Sequence, residues 1–189
     1  MKTNNKKFSK EFFNKSPDIV AKKLLGKVLC RKLPNGEVLR ARIVETEAYF
    51  DEKDPASRAS KSSENKINKV HEMMLGNPGD ILLYNVHKYI MLNFVTQEKG
   101  NASAVLIRSL EPLNFSGRCS GPGLLTGCLK INKLDKEKLN EKILWVENSL
   151  EKTNKEKIGR SFRIGVSLDL KEKHRYFIKG NKFLSRKEK

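Results

Sequence analysis

Apolar and polar positions change their period several times along the chain, and each change marks an element. The stretch that ends in the apolar pair Leu24-Leu25 reads as a helix from the signals at its two ends. Ser16-Pro17-Asp18 supplies a capping hydroxyl, a proline at the first helical position and an early negative charge, and Gly26 closes the helix. Val28 to Leu33 then reads as a strand, and Pro34-Asn35-Gly36 as a hairpin turn into a long strand from Val38 to Tyr49. From Phe50 to Pro78 the chain is polar and charged, and Ser57 to Lys69 holds almost no apolar residue. That stretch is expected to be a surface loop with one short helix, too polar to form core.

Asn77-Pro78-Gly79-Asp80 is a turn signal, followed by a strand from Ile81 to Tyr84, an interruption from Asn85 to Lys88 and a strand from Tyr89 to Val95. Ala104 to Leu110 makes another strand, ending at Glu111-Pro112. Ser120-Gly121-Pro122 caps a helix that runs to about Leu129. Leu139 to Leu150 shows helical spacing through Ile143, Leu144 and Val146, with Trp145 as core packing. Phe162 to Val166 and Tyr176 to Ile178 read as two short closing strands. Residues 1–15 and the basic tail Ser185 to Lys189 are expected to be flexible. No repeat and no linker divides the chain, so one domain spans 1–189. The element order predicts an α+β fold, a curved antiparallel β-sheet flanked by helices.

Charge points to the partner. Lys and Arg number 39 against 22 acidic residues, a formal charge of +17, which favours a polyanion and nucleic acid before a membrane surface. A lysine-rich surface with no particular partner is the plain alternative. Cys30, Cys119 and Cys128 are odd in number and no two lie two residues apart, which speaks against a disulfide framework or a four-cysteine zinc site and for core thiols in a reducing compartment. No metal is implied, because His71, His87 and His174 lack ligand spacing. No cofactor is implied either: there is no glycine-rich phosphate loop and no nucleophile elbow, and no lysine stands alone in an apolar run. No apolar stretch at the start is long enough for a signal peptide or a membrane span, so a cytoplasmic protein is expected.

The densest chemistry lies in Ile43-Val44-Glu45-Thr46-Glu47-Ala48-Tyr49. Residues two apart on a strand point the same way, so Glu47 and Tyr49 would share one cleft. That places a general base beside a face on which a flat ring can stack.

Seven ordered pieces carry a family resemblance: Val44-Glu-Thr-Glu-Ala-Tyr49, Asp54-Pro-Ala-Ser57, Asn77-Pro-Gly79, Leu92-Asn93, Leu106-Ile-Arg-Ser-Leu-Glu-Pro112, Cys119-Ser-Gly-Pro122 and Ile131-Asn132. Together they resemble the alkyladenine (3-methyladenine) DNA glycosylase family over nearly the whole chain, to the closing Arg163-Ile-Gly-Val166. The resemblance implies hydrolysis of the N-glycosidic bond of alkylated or deaminated purines in double-stranded DNA, the first step of base excision repair, with a flipped-out nucleotide. By the same match Glu47 is the catalytic base and Arg108 helps hold the attacking water. Tyr49 and Tyr84 sandwich the flipped base, and Asn93 stands at the pocket floor against purines with a 2-amino group. His87 falls at the intercalating position usually held by a tyrosine, with Lys88 beside it to meet phosphate.

One position departs from the pattern. After Asp54-Pro-Ala-Ser57 the family has a histidine and this chain has Arg58, whose fixed charge is expected to disfavour cationic lesions. The expected protein is a monofunctional enzyme, a monomer acting on damaged DNA in the cytoplasm and associated with the nucleoid through DNA. Two other classes stay open: a basic nucleic-acid-binding module or damage sensor without catalysis, and an enzyme of different chemistry on a related domain.

Overall fold

In a computed structural model, residues 7–60, 69–132, 140–149 and 156–187 are described. Among the described residues, four helices and eight strands follow one another as α1 (Lys10–Phe13), α2 (Pro17–Leu24), β1 (Val28–Lys32), β2 (Val38–Tyr49), α3 (Lys69–Met74), β3 (Ile81–Val86), β4 (Tyr89–Val95), β5 (Ala104–Pro112), α4 (Pro122–Cys128), β6 (Leu144–Glu147), β7 (Ile158–Ser161) and β8 (Arg175–Ile178). The strands form one curled antiparallel sheet in the order β3-β4-β5-β2-β1-β6. The expected α+β single domain is therefore the fold found. No helix among the described residues is long and apolar enough to cross a membrane.

β2 organises the sheet. One edge pairs with β5 along nearly its whole length. The other edge is shared: Val38–Arg42 pair with β1, and Glu45–Glu47 pair with β8, which in turn pairs with β7. Leu39, Ala41 and Ile43 face the main core. Strict alternation would send Glu45, Glu47 and Tyr49 to that same face. The ladder instead runs Ile43↔Leu110, Glu45↔Ser109, Thr46↔Ile107, so Val44 is an extra residue in β2 and Arg108 an extra residue in β5. Two compensating bulges switch the phase of both strands. Beyond them Thr46 and Ala48 turn to the core side, where the Thr46 hydroxyl donates to the Ala21 carbonyl of α2 at 3.0 Å. Glu45, Glu47, Tyr49 and Arg108 are left on the opposite face.

The core side holds Val20, Leu24, Leu83, Leu92, Phe94, Val105, Ile107 and Tyr176. The other face carries a second, smaller cluster of Ala59, Met74, Leu82, Val95, Ala102 and Ala104 beside the polar residues. The sheet is thus covered on both sides, and the carboxylates are enclosed.

Several local expectations differ from the structure. β3 continues to Val86, and Asn85 and Val86 pair with Ile90 and Tyr89, so the break between strands is a tight turn at His87-Lys88 rather than a gap from Asn85 to Lys88. Leu144 to Glu147 is an edge strand on β1, not a helix; Leu144 and Val146, two apart, alternate into the core, whereas Ile143 and Val146, three apart, carry the helical spacing. Leu139 and Leu150 lie outside the described residues. Ile158–Ser161 forms the strand expected over Phe162 to Val166, which instead turns past the site with Phe162 exposed and Gly165 at φ +77°.

The short helix expected between Phe50 and Pro78 is α3, but Asp54, Ser57, Ala59 and Ser60 are buried, so the polar loop does enter the interior. Residues 61–68 lie outside the described residues. The start of the chain is held from residue 7: the Phe8 amide donates to the Val146 carbonyl at 3.0 Å, and buried Phe13 stacks on Phe94. Ser185 likewise bonds into the interior, against the expectation of a free basic tail. The Ser16 hydroxyl makes no capping bond, and Gly121, at φ +153°, takes the cap position of α4.

Candidate active site

The phase switch in β2 and β5 brings the two strands' charged residues together. Glu47 is fully buried, and both of its oxygens accept hydrogen bonds. Oε1 accepts from the Ile164 amide at 2.7 Å; Oε2 accepts from the Tyr49 hydroxyl at 2.9 Å and from Arg108 Nη1 at 3.1 Å. Arg108 Nη1 also points at the Ile164 carbonyl, 3.4 Å away. Its Nε donates to Glu45 Oε1 at 3.1 Å, so one guanidinium joins the two carboxylates. Arg175, directly across the ladder from Glu47, donates its Nε to Glu45 Oε1 at 2.7 Å.

Tyr49, Arg108 and Ile164 line a cleft of about 460 Å³ whose other walls include Tyr84, Arg58, Met91 and Leu106. All three bond Glu47 directly. The carboxylate therefore sits one hydrogen bond behind the cleft wall. A volume of this size is ample for one purine base. Tyr49 is held from behind by Arg163, whose guanidinium lies 4.7 Å from the ring centre. Arg163 is itself fixed by two bonds to Asp54, at 2.6 and 2.7 Å, and by Asp169 at 2.6 Å. The buried Asp54-Pro-Ala-Ser57 turn thus supports one side of the cleft, which is why polar residues occur inside it.

The electrostatics separate the two glutamates. Burial pushes the Glu47 carboxyl above its ordinary range, and Arg108, the Ile164 amide and Tyr49 only partly offset it. Glu45 is as deeply buried, but Arg175, Arg108 and the Ser185 hydroxyl outweigh burial and hold it below that range. Burial and the adjacent Glu47 push the Tyr49 hydroxyl well up, so it stays a donor to the carboxylate. Burial alone would lower Arg108, and Glu47 and Glu45 together more than reverse this.

Glu47, Arg108, Tyr49, Tyr84 and Arg58 therefore meet at one cleft. Arg58 lies over the Tyr84 ring, 5.5 Å from its centre. Asn93 is buried on β4; its Nδ2 lies 3.5 Å from the Leu82 carbonyl, and its amide also reaches the Tyr84 hydroxyl. It braces a wall residue and is not itself among the residues lining the cleft. His87 and Lys88 are exposed at the tip of the β3–β4 turn, His87 with a left-handed φ of +52°. A surface-exposed hairpin tip can enter a base step, whereas a buried one could not.

Glu45, Ser185, Arg175, Arg163 and the Ile164 backbone were not legible as site residues. Glu45 has a local signal, being two residues before Glu47 in the same strand. The others come from distant segments that only the fold gathers.

The sequence profile of the family described as methylpurine-DNA glycosylase (MPG) matches residues 11–182. A protein of Aeropyrum pernix is 38% identical over 185 residues, covering 94% of this chain and 92% of its own length. One from Borreliella afzelii is 37% identical, covering 93% and 97%, and one from Listeria monocytogenes is 34% identical, covering 94% and 91%. All three are named as candidate 3-methyladenine DNA glycosylases. With the profile covering all but the ends and relatives of matching length, the chain belongs to the methylpurine-DNA glycosylase family.

Proposed function

We propose that this DNA glycosylase hydrolyses the N-glycosidic bond of alkylated or deaminated purines flipped out of duplex DNA, with Glu47 activating the attacking water. The observation that carries the reading is the buried Glu47 carboxylate, bonded to Arg108, Tyr49 and the Ile164 amide directly behind a cleft large enough for a purine. Arg108 Nη1, Glu47 Oε2 and the Ile164 carbonyl lie together, so a water that takes the place of the 3.4 Å contact between Nη1 and the carbonyl meets one donor and two acceptors.

The bond from the sugar carbon to the purine nitrogen breaks, and its electron pair leaves with the base. A base already cationic through alkylation departs neutral, and the proton that water gives to Glu47 is then released to solvent; a deaminated base takes up a proton from solvent, which the proton released from Glu47 makes good. The sugar passes through an oxocarbenium-like state that the Glu47 negative charge stabilises. Water oxygen then bonds to the sugar carbon and its proton passes to Glu47, leaving an abasic site. No lysine is among the described residues that line the cleft, which fits a monofunctional reaction.

Tyr49 and Tyr84 take the two faces of the base, Asn93 steadies the Tyr84 side, and Arg58 forms part of the wall against the base. The fixed charge of Arg58 disfavours cationic 3-methyladenine or 7-methylguanine relative to neutral hypoxanthine. His87 fills the space left by the extruded nucleotide while Lys88 meets phosphate, and the protein acts as a monomer. Duplexes carrying hypoxanthine, ethenoadenine, 3-methyladenine or 7-methylguanine, treated with alkali after incubation, test the reading by strand nicking. Nicking by the wild type but not by Glu47→Gln supports it; a lesion bound but never cut would leave a damage sensor instead. An Arg58→His variant should shift the ratio toward the alkylated bases, and an unchanged ratio would remove the role given to Arg58.

A further inference from the structure

Glu45 is a buried charge that the proposed reaction does not use. It accepts four hydrogen bonds: from Arg108 Nε at 3.1 Å, Arg175 Nε at 2.7 Å, the Ser185 amide at 2.6 Å and the Ser185 hydroxyl at 2.7 Å. Ser185 also sits 3.4 Å from Arg108 Nη2, and the Arg186 carbonyl accepts from Arg175 Nη2 at 3.1 Å. The end of the chain thus closes onto both buried arginines and the carboxylate between them. Ser185 lies beyond the stretch matched by the family profile.

The arrangement solves a specific problem. A general base must take up a proton in each turnover, and a neutral Glu47 would leave Arg108 without a counter-charge in a buried site. An arginine stripped of its partner there would be driven to move. Arg108 is bonded to two carboxylates, and their environments differ in the direction that matters. Glu45 keeps its charge because Arg175, Arg108 and Ser185 stabilise the anion, whereas Glu47, largely desolvated, is the one that accepts a proton readily. Arg108 is never unpaired through the cycle.

We propose that Glu45 is the fixed anion that positions Arg108 while Glu47 gains and loses its proton, and that Ser185 holds Glu45 in that place. Glu45 is a positioning residue; it does not meet the substrate. The inference rests on the reading of Glu47 as the base, but it can be tested apart from it. The charged and titratable groups facing the pair are Arg108 from β5, Arg175 from β8, Tyr49 from β2 and Tyr84 from β3. Removing the Glu45 charge leaves Glu47 as the carboxylate that Arg108 pairs with among the described residues, so the Glu47 carboxyl must ionise at lower pH.

Two readouts test this on the full chain. Single-turnover excision, on whichever lesion duplex the wild type cleaves, should slow by about a hundredfold in Glu45→Gln, the scale of a misplaced catalytic group. Ser185→Ala, which removes one hydroxyl and spares the fold, should slow it by about tenfold, in line with one lost bond to a charge. The acid limb of the rate should move to lower pH in Glu45→Gln and return toward the wild-type position in Glu45→Asp. Carboxyl-carbon NMR of Glu47 should show the same displacement without any substrate.

Rate constants and a Glu47 titration unchanged in both Glu45→Gln and Ser185→Ala, with only the active fraction reduced, would show a purely structural role and overturn the proposal. If the wild type cleaves none of the duplexes, the base-excision reading fails, and the NMR displacement still decides for or against Glu45.

Discussion

Glu45 and Glu47 are the same side chain two residues apart on one strand, both fully buried, and they differ only in what surrounds them. Burial dominates at Glu47 and raises it; bonds from Arg175, Arg108 and Ser185 dominate at Glu45 and lower it. Because Glu47 must be ionised to act, excision is expected to fall as pH drops through a value above the ordinary carboxylate range. A rate profile with its acid limb at an unshifted carboxylate value would count against the assignment. Asp54 illustrates the opposite sign. Burial would raise it, but the Arg163 bonds outweigh burial and hold it below the usual aspartate range. Its contribution to stability is therefore complete above that range and is lost as pH falls through the depressed value. Asp54→Ala strands a buried guanidinium with Asp169 as the remaining carboxylate, and urea titration should show a loss of about 3–5 kcal/mol. Glu47 and Arg108 were legible in the sequence because each lies inside a short motif. Arg175 and Ser185 were not, since nothing local marks a residue whose partner is reached only across the fold.

At the scale of elements, a single inserted residue in each of two paired strands decides what faces the cleft. Strict alternation along β2 would have sent Glu45 and Glu47 into the apolar core with Ile43; the extra Val44 and Arg108 reverse the phase. Most strands could be read from their β-branched runs, and the bulge could not, because alternation near Val44 is masked by burial on both faces. The edge strand Leu144–Glu147 was hidden for a related reason: four residues are too few to separate a period of 2 from one of 3.6. β7 escaped because Gly159 interrupts it. That glycine has a packing reason, since a Cβ there would lie 2.3 Å from the buried Phe177 ring on β8. Gly159→Ala should accordingly lower stability by about 1–3 kcal/mol, measured as a shift in the urea midpoint, and a neutral result would mean that β7 sits farther from β8.

Over the whole molecule, one sheet divides two environments: an apolar core against α2, and a face where buried ion pairs stand behind a cleft. The chain as a whole carries a formal charge of +17. Charge of that kind supplies affinity for DNA that ignores sequence and weakens with salt. Lys88, at the exposed hairpin tip, is expected to be one such phosphate contact; Lys88→Glu should weaken duplex binding and reduce the slope of log K against log salt by about 1 or more. A slope equal to the wild type would place the DNA elsewhere. The central claim is that Glu47 does the chemistry, and the most direct measurement is the single-turnover excision rate of Glu47→Gln beside its affinity for the same lesion duplex. Excision slower by about 10²–10⁴-fold with affinity retained is the predicted result. Excision at the wild-type rate would contradict it.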